Sequence, residues 1–254
     1  MPARGGLVDV ASASCGDATG TGAAPMLLPL LAESLALRLR AGVDRPQVDA
    51  WAAGVRAARA SWITDFGGAQ HSVGRAWYTH LEQGRAAEYF AAVAASDATV
   101  ERVCPGLQGA MRGLVARVVG APVVARAGWC GPGVHVFPAG AVLATHGGDI
   151  HFDTEGLTPA HVSERLPALT VVLMLAPPAQ GGELRVWDVA YAGTEAYEDE
   201  DLERASVLCA YAAGDLVVLD SYRLHQIQPF IGPTDRISAT CHAAFTEGRW
   251  ETWF

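Results

Sequence analysis

The sequence predicts an α+β protein in which a helical layer packs on a single all-β barrel or sandwich. Three observations predict it. Residues 44–120 carry Ala-rich stretches with helix start and stop residues. After Pro122 the texture changes to short runs of β-type residues separated by turn residues, with no helical stretch between them. Half of the 254 residues are hydrophobic, enough to fill one sizeable core.

Taken in order, residues 1–24 are rich in Gly, Ala, Ser and Thr without periodicity and read as a disordered tail. Residues 25–122 form a helical preface to the barrel. Asp44 is placed to cap a helix with Pro46 in its first turn, running on through Trp62. Further helices are expected over 85–95 and 98–119, the latter interrupted at Pro105-Gly106 and stopped by Gly120-Ala121-Pro122. Residues 63–82, which mix glycine, histidine and aromatics, read as a strand or an ordered loop. Strands are expected at 123–127, 133–138, 149–154, 168–176, 183–188, 206–211, 215–220, 224–230 and 236–245. Gly181-Gly182 and Gly214-Asp215 punctuate them as hairpin residues do. Residues 123–254 thus form the core of what is one domain overall. The acidic stretch 195–203 reads as a solvated loop.

Composition removes several function classes. The chain has no lysine and no asparagine, so all 18 basic residues are arginine. A P-loop, a Schiff base, a pyridoxal-phosphate site and a lysine general base are excluded together. A net charge of -9, with no arginine block, argues against a nucleic-acid partner. No apolar run reaches the roughly 18 residues of a membrane span, and residues 26–32 lack the basic flank of a signal peptide. Cys15, Cys104, Cys130, Cys209 and Cys241 are widely spaced with no CxxC pair. They read as small buried hydrophobes in a reducing cytoplasm, not as disulfides or a zinc site.

The chemistry concentrates near residue 151. In Asp149-Ile150-His151-Phe152-Asp153 an imidazole and a carboxylate lie two residues apart, hence on one face of a strand. They supply two of the three ligands of a 2-His-1-carboxylate iron site, and His225 is the best candidate for the third. Arg236 and Ser238 then place a guanidinium and a hydroxyl on one face of the last strand, where they can grip a carboxylate.

The order HxD, a strand, Gly-Gly-Glu-Leu, Gly-Asp-Leu-Val-Val-Leu-Asp, a histidine and R-x-S resembles the iron(II)/2-oxoglutarate-dependent oxygenases over residues 123–245. The resemblance implies a double-stranded β-helix, or jelly roll. It implies His151, Asp153 and His225 as iron ligands, with Arg236 and Ser238 binding the distal carboxylate of 2-oxoglutarate. Fe(II), 2-oxoglutarate and O2 are the implied cofactor and cosubstrates. The implied reaction is hydroxylation of a small molecule, a natural-product or amino-acid-type metabolite, with release of succinate and CO2. Related halogenases lack the carboxylate, so Asp153 argues against halogenation. Family members anchor the far carboxylate with arginine or lysine; without lysine, arginine remains.

Alternatives are an iron oxidase that does not use 2-oxoglutarate and a non-catalytic barrel that binds a ligand. A monomer or homodimer is expected. His146, Arg185, Trp187 and His242 are further candidates for substrate contact, whereas His135, on an otherwise apolar strand, reads as core. Arg75, Trp77, Tyr78 and His80 form an aromatic-polar cluster whose simplest reading is ordinary packing.

Overall fold

In a computed structural model, residues 5–11 and 27–254 are described. The amino-terminal half comprises β1 (Gly5–Ala11), α1 (Leu27–Ala32), β2 (Ser34–Arg40), α2 (Arg45–Ala57), β3 (Ile63–Asp65), β4 (Gln70–Val73), α3 (Trp77–Glu82), α4 (Ala86–Ala91), α5 (Val93–Val103) and α6 (Leu107–Val119). It continues with β5 (Val123–Ala125), β6 (Gly133–Phe137), α7 (Val142–His146), α8 (Pro159–Glu164), β7 (Ala168–Ala176), β8 (Gln180–Gly181) and β9 (Leu184–Ala190). The chain ends through α9 (Asp199–Leu202), β10 (Ser206–Cys209), β11 (Leu216–Asp220), β12 (Arg223–Ile227), β13 (Phe230–Ile231), β14 (Arg236–Thr246) and β15 (Arg249–Trp253).

Among the described residues the strands form three sheets, of which the two larger face each other and the third is the pair β13-β8. The larger runs β1-β2-β11-β7-β14-β6-β4-β3, with β15 joining β14 to β5; the smaller runs β10-β9-β12. A bridge between His151 and His225 brings the 149–153 segment beside β12. After β6 the chain alternates between the sheets: across to His151, back to β7, across to β9 and β10, back to β11, across to β12 and back to β14. That winding is a double-stranded β-helix.

Alternation on β7 and β14 decides what each face does. Val171, Leu173, Ala239 and Cys241 pack against the helices with Trp51, Val55, Met111 and Val115. Thr170, Val172, Arg236, Ser238, Thr240 and His242 instead face a cavity between the sheets. Every residue of β7 is buried, because helices cover one face and the second sheet the other.

The α2 cap forms as expected, Asp44 accepting from the Gln47 N–H, although the helix ends at Ala57 rather than Trp62. Its Gly54 lets the end of α5 approach, since a Cβ there would lie 2.2 Å from the Val103 carbonyl oxygen. The break at Pro105-Gly106 separates α5 from α6, while α4 and α5 divide at Ala92.

Four expectations need correction. The strands after Pro122 are not free of helices, because α7, α8 and α9 lie between them. Residues 5–11 belong to no disordered tail: they form β1, parallel to β2, tied by Asp9 to Arg38 and Arg40. The rest of the 1–24 segment lies outside the described residues. The preface is not only helical: β2 adds an unexpected strand at one edge of the larger sheet, whereas β3 and β4 at the other edge agree with the strand reading of 63–82. Finally, 149–154 is not a strand but an isolated bridge, held by His151 N–H to His225 O and Asp153 N–H to Ser221 O.

Candidate metal centre

The bridge sets the site. His151 and Asp153, two residues apart in extended backbone, both turn toward His225, which the bridge places opposite. One ligand atom from each of His151, Asp153 and His225 lies within 4.8 Å of the others. Asp153 Oδ2 is 3.1 Å from His225 Nε2, and Asp153 Oδ1 is 3.5 Å from His151 Nε2.

The hydrogen bonds behind these ligands fix their roles. His151 Nδ1 lies 2.8 Å from the Asp149 carbonyl oxygen, and His225 Nδ1 lies 2.9 Å from the Arg223 carbonyl oxygen. A carbonyl only accepts, so in each ring Nδ1 carries a hydrogen, which leaves Nε2 as the atom turned to the Asp153 carboxylate. Such backing is what metal-ligating histidines require. Thr170 Oγ1 donates to Asp153 Oδ2 at 2.5 Å and orients the carboxylate. Burial works against a charged His151, but the Asp153 carboxylate prevails and pushes the imidazole up to about 9. Burial likewise opposes ionisation of Asp153, yet the surrounding imidazoles of His225, His242 and His151 hold its carboxyl well below the usual range. An anionic carboxylate between two imidazole Nε2 atoms, whose protons a bound cation would displace, is a donor set for a divalent transition metal.

The triad opens onto a cavity of about 320 Å³ that also contains Arg236, Ser238, His135 and His242. Arg236 is 1% exposed, and its three recorded partners are neutral. Nε donates to the Gly182 carbonyl at 3.0 Å, Nη1 to Ser238 Oγ at 3.1 Å and Nη2 to Tyr211 OH at 3.0 Å. A guanidinium has five N–H donors, so one hydrogen remains on each terminal nitrogen. A carboxylate can accept from both terminal nitrogens of one guanidinium. Among the described residues no carboxylate pairs with this buried cation. A bound anion is what such a charge needs.

His135, 5% exposed, is buried as expected and also lines the cavity. Burial lowers its imidazole to about 4, and His242 is lowered by burial as well. Both are therefore neutral near pH 7. His242 does line the cavity. Arg185, Trp187 and His146 do not. On β9 it is Leu184 that faces inward, so alternation turns Arg185 and Trp187 to the outer side. There Arg185 bonds Ser206 and Gln228, and Trp187 Nε1 donates to Leu202 O, so the acidic stretch covers that tryptophan and not the cavity. His146 ends α7 and is exposed.

The cluster at 75–80 divides. Tyr78 lines the cavity, Trp77 packs on Tyr89, Phe90 and Trp129, and His80 is buried against Arg75. Tyr211, Thr170, Phe66 and Gln70 were not foreseen; of these, only Thr170 lay on a recognisable inward-facing strand position.

The four described cysteines, Cys104, Cys130, Cys209 and Cys241, are free and buried. Burial pushes the Cys104, Cys209 and Cys241 thiols up to about 12, which leaves them inert. Cys15 lies outside the described residues. Among the described residues, no helix is long and apolar enough to cross a membrane.

No family model matches the chain, and no curated protein is similar to it in sequence. Solved structures are similar in fold. One is the epimerase SnoN from nogalamycin biosynthesis, in complex with Fe3+, α-ketoglutarate and nogalamycin RO. It has a TM-score of 0.56 and 14% identity over 87% of this chain and 86% of that one. Another is the non-haem, α-ketoglutarate-dependent carbocyclase SnoK from the same biosynthesis, with a TM-score of 0.55 and 14% identity over 90% of this chain and 95% of that one. The chain therefore has the double-stranded β-helix fold of these non-haem, α-ketoglutarate-dependent enzymes.

Proposed function

We propose that the protein is an iron(II)- and 2-oxoglutarate-dependent oxygenase that hydroxylates an unactivated C–H bond of a small molecule in the cytoplasm. The observation that carries this reading is one cavity holding both the His151-Asp153-His225 cluster and a buried arginine with one unused donor on each terminal nitrogen.

His151 Nε2, His225 Nε2 and an Asp153 oxygen would hold the iron. Bound iron, with 2-oxoglutarate and O2, supplies the oxidising chemistry of the reaction, which releases succinate and CO2. Arg236 takes the far carboxylate of 2-oxoglutarate on its two remaining hydrogens. Ser238 Oγ accepts from Arg236 and so keeps its own hydrogen for the same carboxylate. Gly182 O and Tyr211 hold the guanidinium in place, so little order is lost when the anion binds. Val172, Leu184 and Phe137 give the cavity apolar walls that keep water away from the reacting centre. The cavity volume lies in the range of small-molecule sites.

Hydroxylation is the simplest outcome, and Asp153 in the carboxylate position speaks against halogenation. The similar structures include an epimerase and a carbocyclase, so this fold also supports other outcomes. The free, buried cysteines suit a reducing compartment.

The test is an anaerobic titration with Fe(II) and 2-oxoglutarate, followed by aerobic turnover with a small-molecule panel. A weak visible charge-transfer band, lost in His151→Ala, and succinate formation are expected. Oxygen uptake without succinate would identify an oxidase that does not use 2-oxoglutarate. Absence of both band and uptake would leave a binding protein.

A further inference from the structure

Phe66 lies at the cavity in an unusual backbone conformation. Its φ is +49°, in the left-handed region that a bulky residue enters at a cost, and Gly67 and Gly68 follow at +67° and +96°. The ring is not buried in compensation: it is 38% exposed and lines the cavity.

A polar assembly around the buried Asp65 holds the conformation. Asp65, 0% exposed, receives Arg85 Nη2 at 2.7 Å, Ser72 Oγ at 3.0 Å and Gln83 Nε2 at 3.3 Å. The same Gln83 accepts the Phe66 N–H on Oε1 at 3.2 Å and donates to Thr79 O at 2.7 Å. An ion pair and an amide side chain therefore keep a strained aromatic residue at the edge of the cavity, where folding alone gains little from it. Strain held in this way is characteristic of functional positions.

What the ring offers is a flat face. Phe66 stacks on Tyr78 with centroids 6.4 Å apart and planes 28° from parallel. Val142, 66% exposed, and Leu143 add apolar surface to the same cavity. A stacked pair whose outer ring is partly exposed at a cavity is matched by another flat π-system in offset stacking, more than by a puckered aliphatic of equal size.

We propose that Phe66 is a specificity-determining residue that selects substrates presenting a flat aromatic or conjugated ring at the cavity mouth. The proposal rests on the oxygenase reading in one respect, that this cavity is the substrate site.

The test compares 2-naphthol with 2-decalol, which share a carbon skeleton, by calorimetry on protein loaded with Mn(II) and 2-oxoglutarate. Burial of apolar area alone favours the decalol. The expected result is the reverse, with 2-naphthol bound about tenfold more tightly. Phe66→Leu, which keeps apolar bulk, and Phe66→Ala should lose that preference while the Kd for 2-oxoglutarate stays within about twofold. Strain has its own readout. Phe66→Gly and Phe66→Ala both lack the ring, and at a positive φ the glycine variant should melt about 2–4 °C higher than the alanine variant.

Equal affinities for the two alcohols, or a preference retained in Phe66→Leu, would overturn the proposal. So would an alanine variant more stable than the glycine one. Failure of Mn(II) and 2-oxoglutarate to bind would instead overturn the oxygenase reading, and the two alcohols would then be compared on the metal-free chain.

Discussion

Replacing Arg236 with leucine tests the anchor for the cosubstrate. Three of the five guanidinium donors are taken by Gly182 O, Ser238 Oγ and Tyr211 OH, which leaves two for a carboxylate. Hydrogen bonds to charged groups contribute about 1.5–3 kcal/mol each, so losing two costs about 3 kcal/mol or more. That corresponds to an affinity for 2-oxoglutarate at least about 100-fold weaker. The assay is thermal unfolding with Mn(II) and with 2-oxoglutarate at about 100 times the wild-type Kd. Wild type should be stabilised by about 2.7 kcal/mol and the variant by about 0.4 kcal/mol, since its ligand is then near its own Kd. For a chain of this size these are Tm increments of about 5–11 °C and about 1 °C. Mn(II) affinity without 2-oxoglutarate should not change, because Arg236 is not in the His151-Asp153-His225 group that could hold a metal ion. A variant with the wild-type increment would refute the assignment of Arg236.

Thr170→Val removes the 2.5 Å hydrogen bond to Asp153 Oδ2 and should weaken Mn(II) binding roughly 10-fold or more, read by electron paramagnetic resonance; an unchanged Kd would show that the carboxylate is oriented by other contacts. His135 is lowered by burial to about 4 from an unfolded value of 6.5, so unfolded chains bind the extra proton first. Its contribution is intact above pH 6.5 and falls by about 3 kcal/mol as pH drops to 4. Urea unfolding of the metal-free chain across that range should show a shallower loss in His135→Gln, and parallel curves would contradict it. Gly54→Ala normally gains helix propensity, but here the Cβ would lie 2.2 Å from Val103 O, so a loss of about 1–3 kcal/mol is expected in urea. A gain would mean that α5 moves aside at little cost.

Local spacing carried much of the site. The two-residue separation of His151 and Asp153 survives even though the segment forms one bridge rather than a strand, because extended backbone with period two is enough. The same period places Arg236, Ser238 and His242 on one face of β14. It equally governs β9, but there it did not reveal which face was inner. Arg185 and Trp187 therefore lie outside, where β10 and the α9 turn receive them.

The amino-acid sequence by itself determined the turn to strand-rich texture after Pro122, the capped start of α2, the burial of the four described cysteines, and an arginine rather than a lysine for any carboxylate anchor. These follow from composition and short-range geometry, which a chain carries wherever it folds. Only the tertiary structure decided that Gly5–Ala11 is a strand, because its partner β2 supplies the hydrogen bonds and the arginines. It likewise brought Tyr211 to Arg236, Thr170 to Asp153, and Gln83 to Asp65 and Phe66. Those contacts join residues 17 to 25 positions apart. Their partners are chosen by strand pairing and packing between the sheets, which no local pattern of residue types encodes.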